Sequence, residues 1–178
     1  MRKTTILAVL LLIFTCITSS ANAGVLTLKK RCTVNRALFD IGSGATKFKL
    51  VQVDTCKHKI LQTYFKKDVS VPYQESLNNA KDGNFSPEVI QLGFDTLKAL
   101  KAKAEGVAPI DEAFGLATAA FRKAKNGPAV LEKFEQGLGI SIEIISQEME
   151  AILGLRSARF SEKDSANKHI LVWDIGGG

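Results

Sequence analysis

Residues 37–54, ALFDIGSGATKFKLVQVD, put a carboxylate, a glycine bend and two hydroxyls within a few positions of one another. An apolar run ends at Asp40, the chain turns through Gly42-Ser43-Gly44, and a second run, Phe48, Leu50, Val51 and Val53, leads away. The spacing predicts a β-hairpin with a nearly bare tip, its glycines supplying positive φ. Such a tip can lay N–H groups against phosphate oxygens, with a hydroxyl from Ser43 or Thr46, while Asp40 holds a hydrated cation. An isolated Asp-x-Gly bend is most often only a turn. This chain has two: residues 170–178, ILVWDIGGG, repeat the pattern with Asp174 followed by Gly176, Gly177 and Gly178. Two acid-tipped glycine bends facing each other can grip one phosphate–metal unit from opposite sides.

The chain of 178 residues carries a formal charge of +6 and is 46% hydrophobic, enough for one globular core. Residues 1–23 pair Arg2-Lys3 with a nearly unbroken apolar run from Ile6 to Ile17 and a small-residue end, Ala21-Asn22-Ala23. That is the composition of a signal peptide cleaved between Ala23 and Gly24, and the apolar run is shorter than the roughly 20 residues a membrane span needs. Export to a secreted or periplasmic location is expected, with no stable span after cleavage. Losing Arg2 and Lys3 lowers the formal charge by two, to +4. Much of that excess sits in Lys29-Lys30-Arg31, read as a solvated approach to the first strand. No aromatic residues interleave with basic ones, so nucleic acid is not an expected partner.

Cys16 leaves with the leader, and the hairpin register sets Cys32 opposite a neighbour of Cys56. The two either form a disulfide or remain as buried thiols; no Cys/His spacing suggests zinc. After the hairpin, residues 60–65 read as a third strand and residues 66–85 as a loop. Ser86-Pro87-Glu88 opens a helix with Ile90, Phe94, Leu97, Leu100 and Ala104 on one face, ended by Gly106. A small-residue strand over 113–120 leads to Phe121-Arg122-Lys123. A helix from Gly127 turns Val130, Leu131, Phe134 and Leu138 inward. A strand over 140–145 follows, and Ser146 caps a helix from Gln147 to about Phe160 with Met149, Ile152, Leu153 and Phe160 as its apolar side. His58 and His169 read as solvated. This order predicts an α/β layer arrangement with a mixed sheet, parallel strands inside and the antiparallel meander outside.

Four segments, FDIGSGATKFKL, ATAAFRKAKNG, IEIISQEMEAILG and LVWDIGGG, resemble in order and spacing the exopolyphosphatase / guanosine pentaphosphate phosphohydrolase family. The resemblance spans about residues 36–178 and implies a ribonuclease-H-like lobe of the actin-like ATPase fold. In that family two lobes close on a cleft, each contributing one Asp-Gly turn. By resemblance Asp40 and Asp174 are the metal-side carboxylates, for Mg²⁺, and Ser43, Gly44, Gly176, Gly177 and Gly178 the phosphate cradles. Arg122 stands in the place of the phosphate-binding arginine, and Glu150 in that of the glutamate that activates water. Gly44-Ala45 departs from the family's usual Asn-Ser, and Met149-Glu150 from its double glutamate.

The implied domains are a signal peptide at 1–23, a linker at 24–35, an N-terminal lobe at 36–160, and a linker with the first strand of a second lobe at 161–178. The implied activity is Mg²⁺-dependent release of terminal phosphate from inorganic polyphosphate, with little activity expected from one lobe alone. A secreted apyrase-type nucleoside di- or triphosphatase and a non-catalytic polyphosphate-binding module are the alternatives.

Overall fold

The computed structural model describes residues 32–161 together with 171 and 172. In chain order the elements are β1 (Thr33–Ile41), β2 (Ala45–Asp54), β3 (Lys59–Ser70), α1 (Tyr73–Asn79), α2 (Pro87–Glu105), β4 (Glu112–Ala117), α3 (Ala119–Lys123), α4 (Gly127–Leu138), β5 (Ser141–Ile144) and α5 (Gln147–Ser161). The sheet runs β3-β2-β1-β4-β5. β1, β2 and β3 pair antiparallel, while β4 joins β1, and β5 joins β4, in parallel. The expected mixed sheet is therefore present, but β1 is the centre, and the parallel ladder ends at edge strand β5 rather than lying wholly inside. No helix among the described residues is long and apolar enough to cross a membrane.

The β1–β2 register, Thr33↔Asp54 through Ile41↔Thr46, brings Cys32 beside Thr55, whose N–H donates to the Cys32 carbonyl at 2.7 Å. Cys32 and Cys56 form a disulfide across the open end of this hairpin, with Cα atoms 5.3 Å apart. The closed end needs no left-handed backbone. Positive φ occurs instead at Gly83, Gly139 and His58, so the expectation for Gly42 and Gly44 is corrected: the three-residue tip between β1 and β2 closes without it. Gly139 has φ +62° and ends α4 as a left-handed cap.

Several elements depart from the sequence reading. β3 continues to Ser70, and residues 73–79 are helical where a loop was expected. As an edge strand, β3 meets solvent along much of its length, so Lys66, Lys67 and Asp68 break the hydrophobic alternation without breaking the ladder. β4 stops at Ala117, and residues 119–123 turn into α3, because Thr118 hands its N–H to Ile41 and its carbonyl to Phe121 and Arg122. The apolar side expected of α5 is not inside: Met149, Ile152 and Phe160 are exposed and Leu153 only half-buried. α2 begins as expected, with Ser86 accepting from Val89 N–H and Pro87 opening the helix.

One sheet face carries the core, built from Ala37, Phe39 and Ile41 of β1 and Phe48 and Leu50 of β2 against Leu97, Leu100 and Phe134 of the helices. At its upper end Tyr73, Phe85 and Phe121 stack in a ring of three, with centroids 5.4, 4.7 and 4.9 Å apart. The Tyr73 hydroxyl is buried with no hydrogen-bond partner among the described residues, and burial pushes its pKa well above the ordinary value. Gly93 lies directly against it, where a Cβ would collide with the Tyr73 hydroxyl and ring. Gly93→Ala should therefore lower stability by about 1–3 kcal/mol, read as a fall in denaturation midpoint. Adding Tyr73→Phe should recover part of that loss, because it removes the overlap with the hydroxyl and an unsatisfied polar atom, leaving the ring-carbon contact at 2.9 Å; losses that simply add would refute this contact as the cause.

Candidate functional site

Parallel β1, β4 and β5 end along one sheet edge, and the segments leaving them carry the candidate residues. In open α/β sheets, ligands bind outside the carboxyl ends of the strands. Asp40 is the exposed penultimate residue of β1. The tip after it is braced from below: Gly42 N–H donates to Ala45 carbonyl at 3.0 Å, Val71 N–H to Gly44 carbonyl at 3.1 Å, and Gln74 N–H to Ser43 carbonyl at 2.9 Å. With these carbonyls bound inward, the Ser43 and Gly44 N–H groups have no acceptor among the described residues. Ser43 is buried and Gly44 exposed, and a Cβ on Gly44 would meet nothing within 4 Å. The fold thus does not require glycine at 44; its effect is a bare surface that an anion can approach closely. Thr46, the other hydroxyl proposed for the tip, is fully buried beside Phe48 on the core side and does not serve it.

Arg122, next to last in α3, reaches across to the segment after β5. One of its guanidinium nitrogens donates to the Ile145 carbonyl at 2.7 Å and to Glu150 Oε2 at 3.0 Å. The pair is partly exposed, with 25% of the arginine and 32% of the glutamate side chain accessible. Ser146 accepts from Met149 N–H at 3.0 Å, fixing the first turn of α5, and Glu150 lies in that turn, where the helix dipole favours a carboxylate. Arg122 therefore fastens the segment after β5 to α5, and its remaining N–H groups, which have no acceptor among the described residues, can meet a planar, bidentate anion. The two candidates that sequence resemblance treated separately, Arg122 and Glu150, are one hydrogen-bonded unit.

Thr118 N–H on Ile41 carbonyl at 3.3 Å, and Ile145 N–H on Ala117 carbonyl at 3.1 Å, carry the strand order on to the three loops at this edge. Sequence reasoning missed Gln74, whose N–H holds the Ser43 carbonyl, because residues 66–85 read as a loop. Its polar side chain before a short helix carries no signal of that role. Asp174, Gly176, Gly177 and Gly178 lie outside the described residues. Cys32, Asp54 and Cys56 also cluster closely enough to suggest a metal, but both sulfurs are spent in the disulfide.

A mixed five-stranded sheet of order β3-β2-β1-β4-β5 with flanking helices is the ribonuclease-H-like lobe of the actin-like ATPase fold. The sequence profile of the Ppx/GppA phosphatase family matches residues 51–178, and the chain belongs to that family. No curated protein sequence matches it significantly. Among solved structures it is similar to the Ppx/GppA family member of Aquifex aeolicus, at 21% identity and a TM-score of 0.63 over 74% of this chain and 41% of that one. It is also similar to an exopolyphosphatase from Cytophaga hutchinsonii, at 18% identity and a TM-score of 0.58 over 71% of this chain and 38% of that one. The chain thus spans about two fifths of the length of these relatives.

Arg122→Ala should release the first turn of α5. The expected readings are faster amide exchange at residues 145–150 and a stability loss of about 1.5–3 kcal/mol, as for a hydrogen bond to a charged group. Unchanged exchange there would show that Arg122 does not hold α5.

Proposed function

We propose that this chain is the N-terminal lobe of an exported, Mg²⁺-dependent phosphoanhydride hydrolase that releases terminal phosphate from inorganic polyphosphate. The observation that carries this reading is the Arg122–Glu150 unit, set at the same strand-end edge as the Ser43-Gly44 tip in a chain of the Ppx/GppA family. The Ser43 and Gly44 amides and the free side of Arg122 bind and orient the terminal phosphate. Glu150 holds the attacking water and takes its proton.

Asp40, an exposed hard-oxygen donor beside the tip, suits a hydrated divalent cation shared with Asp174 of the second turn. Such a cation, when bound, neutralises charge on the phosphate oxygens. By the family resemblance Gly176, Gly177 and Gly178 bind phosphate from the second Asp-Gly turn, so hydrolysis needs both turns. Export is supported by the apolar leader and by a disulfide of the kind that persists in oxidising compartments. It also favours polyphosphate over guanosine pentaphosphate.

A second reading, a polyphosphate-binding module without turnover, is favoured by one feature: Glu150 is ion-paired with the arginine and not free. In a protein carrying both lobes, Glu150→Gln should lower phosphate release from polyphosphate by roughly 10²–10⁴-fold while binding persists. Phosphate release as fast as in the parent would remove Glu150 as the base; tight binding with no release in the parent itself would establish the module. ATP and ADP hydrolysed in preference to polyphosphate would make the protein an apyrase-type enzyme instead. N-terminal sequencing of the secreted protein should begin at Gly24, and a start at Met1 would refute export by this leader.

A further inference from the structure

The sheet face opposite the core carries an ordered row of charge. Along β2, Lys47, Lys49 and Val51 alternate with core-facing Phe48 and Leu50, so pairing stacks three cross-strand rows. The first is Asp40–Lys47–Asp68, the second Leu38–Lys49–Lys66, and the third Arg36–Val51–Thr63. Lys47 is flanked by two acids, and Arg36 donates to Glu112 at 2.6 Å. Lys49 and Lys66 differ: they stand directly opposite each other, both exposed, with no carboxylate in ion-pair range among the described residues. Like charges placed so are destabilising.

A second feature falls at the same place. The β2–β3 register shifts between Leu50 and Val51, leaving an extra residue on β3, and such a bulge bends the strand. A shallow hollow lies at this place, floored by Val51 and lined by Ile60, Tyr64 and Phe65 as well as by Lys49, Thr63 and Lys66. Two ammonium groups and a hydroxyl are donors without acceptor competition, the set that phosphate oxygens require. The hollow's rows fall at Lys49 and Val51, five and seven residues along β2 from Gly44, so at roughly 3.3 Å per residue it lies about 17–23 Å from the tip.

We propose that this hollow is a second anion subsite, in which Lys49, Lys66 and Thr63 hold the body of an inorganic polyphosphate chain whose terminal phosphate sits at the Ser43-Gly44 tip. The assignment rests on the polyphosphate reading above and adds a preference for long chains. An unbranched polyanion long enough to cover this distance reaches from tip to hollow over Lys47, past the two acids that flank it; a tripolyphosphate occupies the tip alone.

The test measures binding of long-chain polyphosphate and of tripolyphosphate to the protein across a range of NaCl concentrations. Lys49→Gln/Lys66→Gln should weaken long-chain binding about tenfold or more and lower its salt slope by about two, one per lysine lost. Tripolyphosphate binding should stay as in the parent. Lys98→Gln/Lys133→Gln, which removes the same charge from exposed helix positions, should change neither. Equal weakening of tripolyphosphate, equal weakening by the helix pair, or no loss for long chains overturns the subsite. Tripolyphosphate binding with no gain from chain length removes the subsite and leaves the terminal-phosphate reading standing; binding of neither removes both. Displacement of bound polyphosphate by polyuridylate at equal affinity would overturn polyphosphate as the occupant.

Discussion

The contact of Tyr73, Phe85 and Phe121 holds the strand-end edge of this lobe in shape. Each ring comes from a different segment: Tyr73 opens α1, Phe85 precedes α2, and Phe121 lies in α3, next to Arg122. Burying three aromatic rings against one another contributes through area and through edge-on geometry, and it fixes the segments in angle as well as in distance. Polar clamps follow the same path. Asn126 takes the Phe85 N–H and returns a bond to its carbonyl, and Lys125 N–H binds Gly83 carbonyl.

From that ring the candidate site is placed on both sides. Tyr73 leads into Gln74, whose N–H holds the Ser43 carbonyl and so turns the tip's amides outward. Phe121 leads into Arg122, whose guanidinium reaches the Ile145 carbonyl and Glu150. The tip amides and the charged pair are thus two outputs of one apolar contact. A candidate site built this way is preorganised, since its groups are set by packing.

The sheet divides its labour by face. The core side is apolar and closed, while the other side displays Leu38, Phe114 and the lysines of β2 and β3. α5 likewise turns Met149, Ile152 and Phe160 outward. The sequence periodicity of α5 marked these residues as an apolar side without showing where that side points. Direction is set by the Ser146 cap and the Arg122 bond at the helix start, not by hydrophobic pattern.

Amino-acid order alone determined the strand–bend–strand of β1 and β2, the register that sets Cys32 beside Thr55, the capped start of α2, the inward residues of α4 and the α/β class. Each of these depends on neighbours along the chain: alternation, a capping hydroxyl, a proline at the first turn. Four separated motifs were also legible because each keeps its own local pattern. Only the tertiary structure decided that β3 runs on to Ser70, that Thr46 faces the core, that Gln74 braces the tip, and that Arg122 and Glu150 are bonded to each other. These rest on contacts between residues distant in sequence, where an edge strand tolerates polar side chains and one arginine serves two elements, and no local pattern of residue types encodes such partners.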